Sequence, residues 1–124
     1  MAIVEAGEPH VVENIEGMRT TPSIIAEAKT GERVVGLAAK RQAVTNPKNT
    51  VYQIKRFIGH NFDEPAVQKD KEAVPFEMRK SENGGIEVKM GEKWYRPEEV
   101  SAMILQKLKA DAKTKLGEKI TEAV

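Results

Sequence analysis

Apolar and polar residues alternate most regularly between Pro75 and Arg96. Phe76, Met78 and Lys80 alternate with Glu77 and Arg79, and Ile86, Val88 and Met90 alternate with Glu87 and Lys89. Period two marks a strand with one buried face. Ser81-Glu82-Asn83-Gly84-Gly85 supplies a turn with Asn-Gly at its centre, and Gly91-Glu92 turns the chain again into Lys93-Trp94-Tyr95. A three-stranded antiparallel meander is predicted, with an apolar face that needs cover. The period then changes. Val100, Ile104, Leu108, Ala112 and Leu116 recur every four residues, flanked by Met103 and Leu105, which predicts an amphipathic helix over 97–116. Pro97 suits its first position, Glu98 and Glu99 the positive end, and Gly117 the stop. Lys107, Lys109, Lys113 and Lys115 lie off the stripe. Burying four or five such side chains contributes about 1.5–3 kcal/mol each before entropy, so this helix is expected to be the main stabiliser.

Residues 2–13 read as two short strands around Gly7-Glu8-Pro9, with Ile3, Val4, Val11 and Val12 as the apolar elements. Asn14 to Pro22 is a turn-rich connection containing Gly17. Ser23 to Ala28 and Arg33-Val34-Val35 form a second hairpin about Thr30-Gly31-Glu32. Gly36 opens a short helix that Asn46-Pro47 stops. A second helix, capped by Asn49 or Thr50, is predicted to carry Val51, Ile54, Phe57 and Ile58 on one face. The basic pairs Lys40-Arg41 and Lys55-Arg56 then fall in corresponding places on two helices. A further helix is expected over Glu64 to Ala73, with Asp63 as cap and Pro65 in its first turn. Ile120 to Val124 resembles the start of another strand.

Composition narrows the function classes. The 124 residues suit one domain, and 40% hydrophobic with 31% charged residues permits a modest core. Twenty basic and nineteen acidic residues leave a formal charge of +1, which gives no bulk attraction to nucleic acid or a membrane surface. With no cysteine there is neither a disulfide nor a thiolate metal site. No apolar run approaches the ~20 residues of a membrane helix, and no secretory pattern opens the chain. The expectation is a soluble chain, cytoplasmic, with an organellar matrix as the other compartment that fits.

The stretch GLAAKRQAVTNPKNTVYQIKRFIG, Gly36 to Gly59, carries a specific resemblance. KRQAVTNP, then NT, then KRFIG closely resembles the nucleotide-binding domain of the DnaK-type chaperones, the seventy-kilodalton heat-shock class. GEPHVVENIEGMRTTPSIIA before it, and the PF, the ENG hairpin and the terminal TEAV after it, extend the match from about Ile3 to Val124. The resemblance implies an ATPase with ATP and magnesium as cofactors, coupled to unfolded-peptide binding, protein folding and the stress response. The family's Asp-Leu-Gly-Thr-Thr phosphate loop, its second phosphate loop, its adenosine-binding residues and its peptide-binding domain are not in these residues. The chain therefore resembles part of a chaperone ATPase, and it is expected to hold no nucleotide tightly by itself.

By that resemblance Lys55 projects into the nucleotide cleft, contacts the phosphates and is required for hydrolysis. The chemistry asks for positive charge on the transferring group and the attacking water. Without the resemblance, Lys55 reads as a solvated lysine. By the same resemblance Lys40 and Arg41 match basic positions that pair with acidic residues on the opposing lobe and help to gate nucleotide release, an interlobe or exchange-factor contact. His10 and His60 lie far apart in sequence with no metal-ligand spacing, so no metal site is expected. Trp94-Tyr95 reads as core and rim, Gly84-Gly85 as a hairpin turn, and the lysines of the last helix as a solvated face.

The expected fold is α+β: a small antiparallel sheet covered by helices, a fragment of the actin-like ATPase fold. Residues 1–36 read as a remnant of the core sheet, 37–117 as the outer subdomain of the first lobe, and 118–124 as the next core strand. Implied partners are the remainder of the chaperone, a nucleotide-exchange factor and co-chaperones. The competing reading is a stand-alone interaction module, self-associating through open sheet edges.

Overall fold

The computed structural model describes residues 1–124, and it is α+β. Its compact units are Met1–Thr21 with Leu105–Val124, and Pro22–Ile104.

In the Pro22–Ile104 unit, β3 (Ile25–Glu27) lies between β4 (Arg33–Val35) and β5 (Thr50–Val51), and both pairings are antiparallel. The short helix α1 (Leu37–Gln42) packs on all three strands. The predicted meander is present as β6 (Met78–Lys80), β7 (Ile86–Met90) and β8 (Lys93–Tyr95), with Val88 opposite both Met78 and Tyr95. Alternation works as the pattern requires: Ile86, Val88 and Met90 are buried while Glu87 and Lys89 face outward.

The start of α3 (Pro97–Leu116) covers that face. Val100 and Ile104 join Met78, Ile86, Val88 and Met90 in one core, which Ile25, Val51, Ile54, Phe57, Val67 and Phe76 complete. Arg96 offers its backbone N–H to Glu99 Oε2 at 2.8 Å, so the helix start is closed by its own first-turn carboxylate. Tyr52 stands edge-on to Phe76, centroids 5.7 Å apart. Helix α2 (Pro65–Ala73) buries only Val67 fully.

Four local expectations are corrected. The helix expected after Asn49 is not α-helical: Asn49 ends a 3-10 turn (Pro47–Asn49), Thr50–Val51 is strand, and Ile54–Arg56 is a second 3-10 turn. Gln53 is the cause, because it takes a left-handed conformation (φ 57°, ψ 23°) that no α-helix accommodates. Asp63 does not cap α2; it pairs with Lys80, and Glu64 occupies the cap position with no side-chain cap bond. In the first hairpin the turn is Ala6-Gly7, one step earlier than expected, with Glu8 and Pro9 already in the second strand. Ile120 to Val124 forms no strand, since no neighbouring strand takes up its backbone groups.

In the other unit, β1 (Ala2–Glu5) and β2 (Glu8–Val11) form a two-stranded antiparallel ribbon. Ala6 and Gly7 both have positive φ, 50° and 79°, as a type I′ hairpin turn demands. The amide of Val12 bonds to the carbonyl of Met1 at 3.0 Å. Alternation from that pair makes Ile3–His10 and Glu5–Glu8 the hydrogen-bonded pairs and turns the backbone groups of Ala2, Val4, Pro9 and Val11 outward. Pro9 has no N–H to offer, so the outer edge of β2 is interrupted while that of β1 is complete. Ala2, Val4, Pro9 and Val11 also share one face, and all are exposed, Val4 at 72% and Val11 at 58%.

The loop after this ribbon is built around buried Asn14. Its Nδ2 donates to Thr20 O and Thr21 Oγ1, and its Oδ1 accepts the Met18 amide. Asp111 and Ala112 are the buried residues of α3 in this unit. Leu108 and Leu116 are half-buried, and Leu105 is exposed. No helix of the chain is long and apolar enough to cross a membrane.

Candidate functional site

Lys55 sits at the middle of the 3-10 turn Ile54–Arg56. A 3-10 turn repeats every three residues, and here Val51, Ile54 and Phe57 all point into the core, at 0%, 2% and 1% exposure. Those anchors leave the two residues between Ile54 and Phe57 on the outside. Lys55 and Arg56 are both exposed. Arg56 is tied down, its guanidinium 3.3 Å from Asp70 of α2. Lys55 makes no ion pair. It is an unpaired cation on a turn whose flanking residues are buried.

Lys40 and Arg41 occupy the last turn of α1, where positive charge meets the negative end of the helix. Both are exposed, and neither makes an ion pair. The two basic pairs thus stand on different kinds of element, an α-helix and a 3-10 turn, and their expected correspondence on two helices does not hold. Each pair does display its first lysine without a partner.

For a phosphate ligand these residues offer Lys55 as one free donor. For magnesium, no three His, Asp or Glu side chains are grouped to hold an ion. A single ammonium does not by itself define a phosphate site. The cavity of about 260 Å³ beside the α3 start is lined by His60, Asn61, Ser81, Asn83 and Arg96 over Phe57, and Lys55 is not among its walls.

The titratable groups with displaced pKa values lie elsewhere. Glu64 is held below the ordinary carboxylate range by the Asn61 amide, 2.8 Å from Oε1, and then by His60, 2.8 Å from Oε2. Burial pushes the Lys107 ammonium down, but its bonds to Asp111 and Glu16 outweigh that and raise it overall. Lys107 was expected on the solvated face of α3; its side chain is only 15% exposed, fixed between Glu16 at 3.0 Å and Asp111.

Other features of the site had little sequence signal. Gln53, whose left-handed backbone starts the turn under Lys55, is not a residue type that this conformation favours. The Asp111 contacts join positions 15 and 111, far beyond any local pattern. Arg79 lies over the Trp94 ring at 4.3 Å and also pairs with Glu87, so this aromatic is covered by a cation from its own sheet. Tyr95, on the opposite face, packs against the core. Comparison with protein families matches the chain to the family model described as "Hsp70 protein", over residues 1–124.

Proposed function

The chain belongs to the Hsp70 family, and from that premise we propose that it is part of the ATPase domain of a DnaK-type chaperone. The parent protein couples ATP binding and hydrolysis to the capture and release of unfolded peptide. Residues 1–36 contribute to its core sheet, 37–117 form the outer subdomain of the first lobe, and 118–124 lead into the next core strand. Lys55 supplies positive charge to the phosphates. Lys40 and Arg41 serve contacts with the opposing lobe and with an exchange factor. Magnesium and the remaining phosphate ligands come from parts of the parent outside these residues, so this chain alone neither binds nucleotide tightly nor hydrolyses it. The observation that carries the reading is an exposed, unpaired Lys55 on a 3-10 turn anchored by buried Ile54 and Phe57, within a chain of this family.

The test is Lys55→Ala in a complete chaperone ATPase chain in which residues 1–124 occupy their family position. ATP turnover is expected to fall to background while the protein stays folded. Turnover at the parent rate would remove Lys55 from the chemistry.

A second reading is favoured by one observation, the uninterrupted outer edge of β1 beside the exposed apolar face of Ala2, Val4, Pro9 and Val11. Edges of this kind accept strands. In that reading the chain is an interaction module that self-associates through β1. A monomer at high concentration in sedimentation analysis would remove it.

A further inference from the structure

Strand β5 ends at Val51, which is fully buried, and in an extended chain side chains alternate sides at every residue. Were the strand to continue, Gln53 and Lys55 would follow Val51 into the core and Ile54 would fall on the side of Thr50, away from Val51. The opposite arrangement is observed. Gln53 is exposed, Ile54 is buried, and Lys55 is exposed. The change of phase happens at one residue, Gln53, at φ 57° and ψ 23°.

Gln53 is one of two non-glycine residues in the chain with positive φ; the other, Ala6, is in the β1–β2 turn. A side chain larger than glycine's resists that region, so the surrounding structure must hold it there. The holding groups are evident. Val51, Ile54 and Phe57 are buried on both sides, the Arg56 amide bonds to Gln53 O at 3.0 Å, and the Phe57 amide bonds to Ile54 O at 3.0 Å. Arg56 adds its pair with Asp70. The Gln53 side chain makes no contribution of its own through a hydrogen bond, so what the position supplies is its backbone conformation.

We propose that Gln53 is the positioning residue for Lys55. Its left-handed backbone ends the strand, converts a two-residue repeat into a three-residue one, and thereby turns Lys55 outward while Ile54 is driven into the core. This rests on the reading of Lys55 as a phosphate contact, but the geometric claim is testable without nucleotide.

Three variants separate the contributions. Gln53→Gly accepts positive φ freely, Gln53→Ala keeps the same Cβ and removes only the rest of the side chain, and Gln53→Val, β-branched, opposes it strongly. In the 124-residue chain, the three-bond coupling between the amide and α protons at position 53 reports φ. Amide shifts and hydrogen exchange at Ile54 to Phe57 report the turn. Gln53→Gly is expected to keep the wild-type shifts at 54–57 with an equal or higher Tm. Gln53→Ala is expected to match the wild type, and Gln53→Val to lower Tm and speed exchange at Ile54 and Phe57. Should Gln53→Val not fold, Gln53→Thr, also β-branched, takes its place. Wild-type shifts, exchange and Tm in the β-branched variant would overturn the proposal, as would altered shifts at 54–57 in Gln53→Gly.

In the complete ATPase chain, Gln53→Gly and Gln53→Ala are expected to keep kcat, and Gln53→Val to lower kcat several-fold with little change in KM for ATP. Loss of turnover in Lys55→Ala with wild-type kcat in a folded β-branched variant at position 53 would defeat the positioning role alone. Full turnover in Lys55→Ala would defeat the functional reading, and the turn measurements would still judge the geometry.

Discussion

Asp111 follows Lys107 by one turn of α3, and its Oδ2 both receives the Lys107 ammonium and accepts the backbone N–H of Ile15 at 3.3 Å. Lys107 reaches Glu16 as well. One buried carboxylate therefore ties the Asn14-centred loop to the helix through its main chain and through an ion pair. Asp111→Ala would leave a largely buried ammonium with one partner and an amide with none. Breaking such a pair costs about 3 kcal/mol, and Asp111→Asn, which keeps an acceptor, is expected to cost less. Urea denaturation of the two variants checks the order. Because Lys107 is raised on folding, its contribution is fully present below the ordinary lysine pKa of 10.5 and is lost as pH rises through the folded value.

Gly91 begins the turn into β8 at φ 64°, and the Glu27 carboxylate occupies the place where a Cβ on Gly91 would go. Its amide is held by Asn49 Oδ1 at 3.0 Å. Gly91→Ala is expected to cost about 1–2 kcal/mol from the positive φ and more from the collision. Glu27 is a flexible side chain, so the two parts can be separated. In the double variant with Glu27→Ala, the collision part should vanish and the φ part remain, which a double-mutant cycle in chemical denaturation measures directly.

Ala6 occupies a positive-φ position of a type I′ turn, for which Asn-Gly is the preferred sequence. Ala6→Asn is expected to raise stability by about 0.5–1 kcal/mol and to leave the β1–β2 register unchanged. A fall in Tm would show that the ribbon does not use this turn.

Glu64 offers a pH test. Its folded pKa is depressed, so the stability it contributes is present above the ordinary carboxylate pKa and is lost as pH falls through the lower folded value. The carboxyl carbon of Glu64, followed by NMR, should titrate below the usual glutamate midpoint. His60→Ala should raise that midpoint only partway, because the Asn61 amide is the larger cause and remains.

The meander and α3 were legible because each is governed by one repeat over many residues, two in the strands and four along the helix. The stretch around Lys55 was not. Val51, Ile54 and Phe57 are spaced by three, which suits an α-helical face and a 3-10 turn equally, and the decision was made by the backbone at Gln53. Thr50–Val51 became strand because β3 presents it with a partner edge, a tertiary fact. Lys107 looked like one more solvated lysine because Glu16, which closes its shell, lies 91 positions away. The identity of Lys55 as the residue to examine came from the motif around it, since its spacing alone describes an ordinary surface lysine.

On the proposed function, Lys55 is presented for a phosphate contact while these residues alone hold no nucleotide. The most direct measurement is an amide NMR titration of the 124-residue chain with magnesium-ATP at millimolar concentration. A well-dispersed spectrum with no saturable shifts at Gln53 to Phe57 is expected. Saturable shifts centred on Lys55 would contradict it and show that these residues suffice to hold the nucleotide.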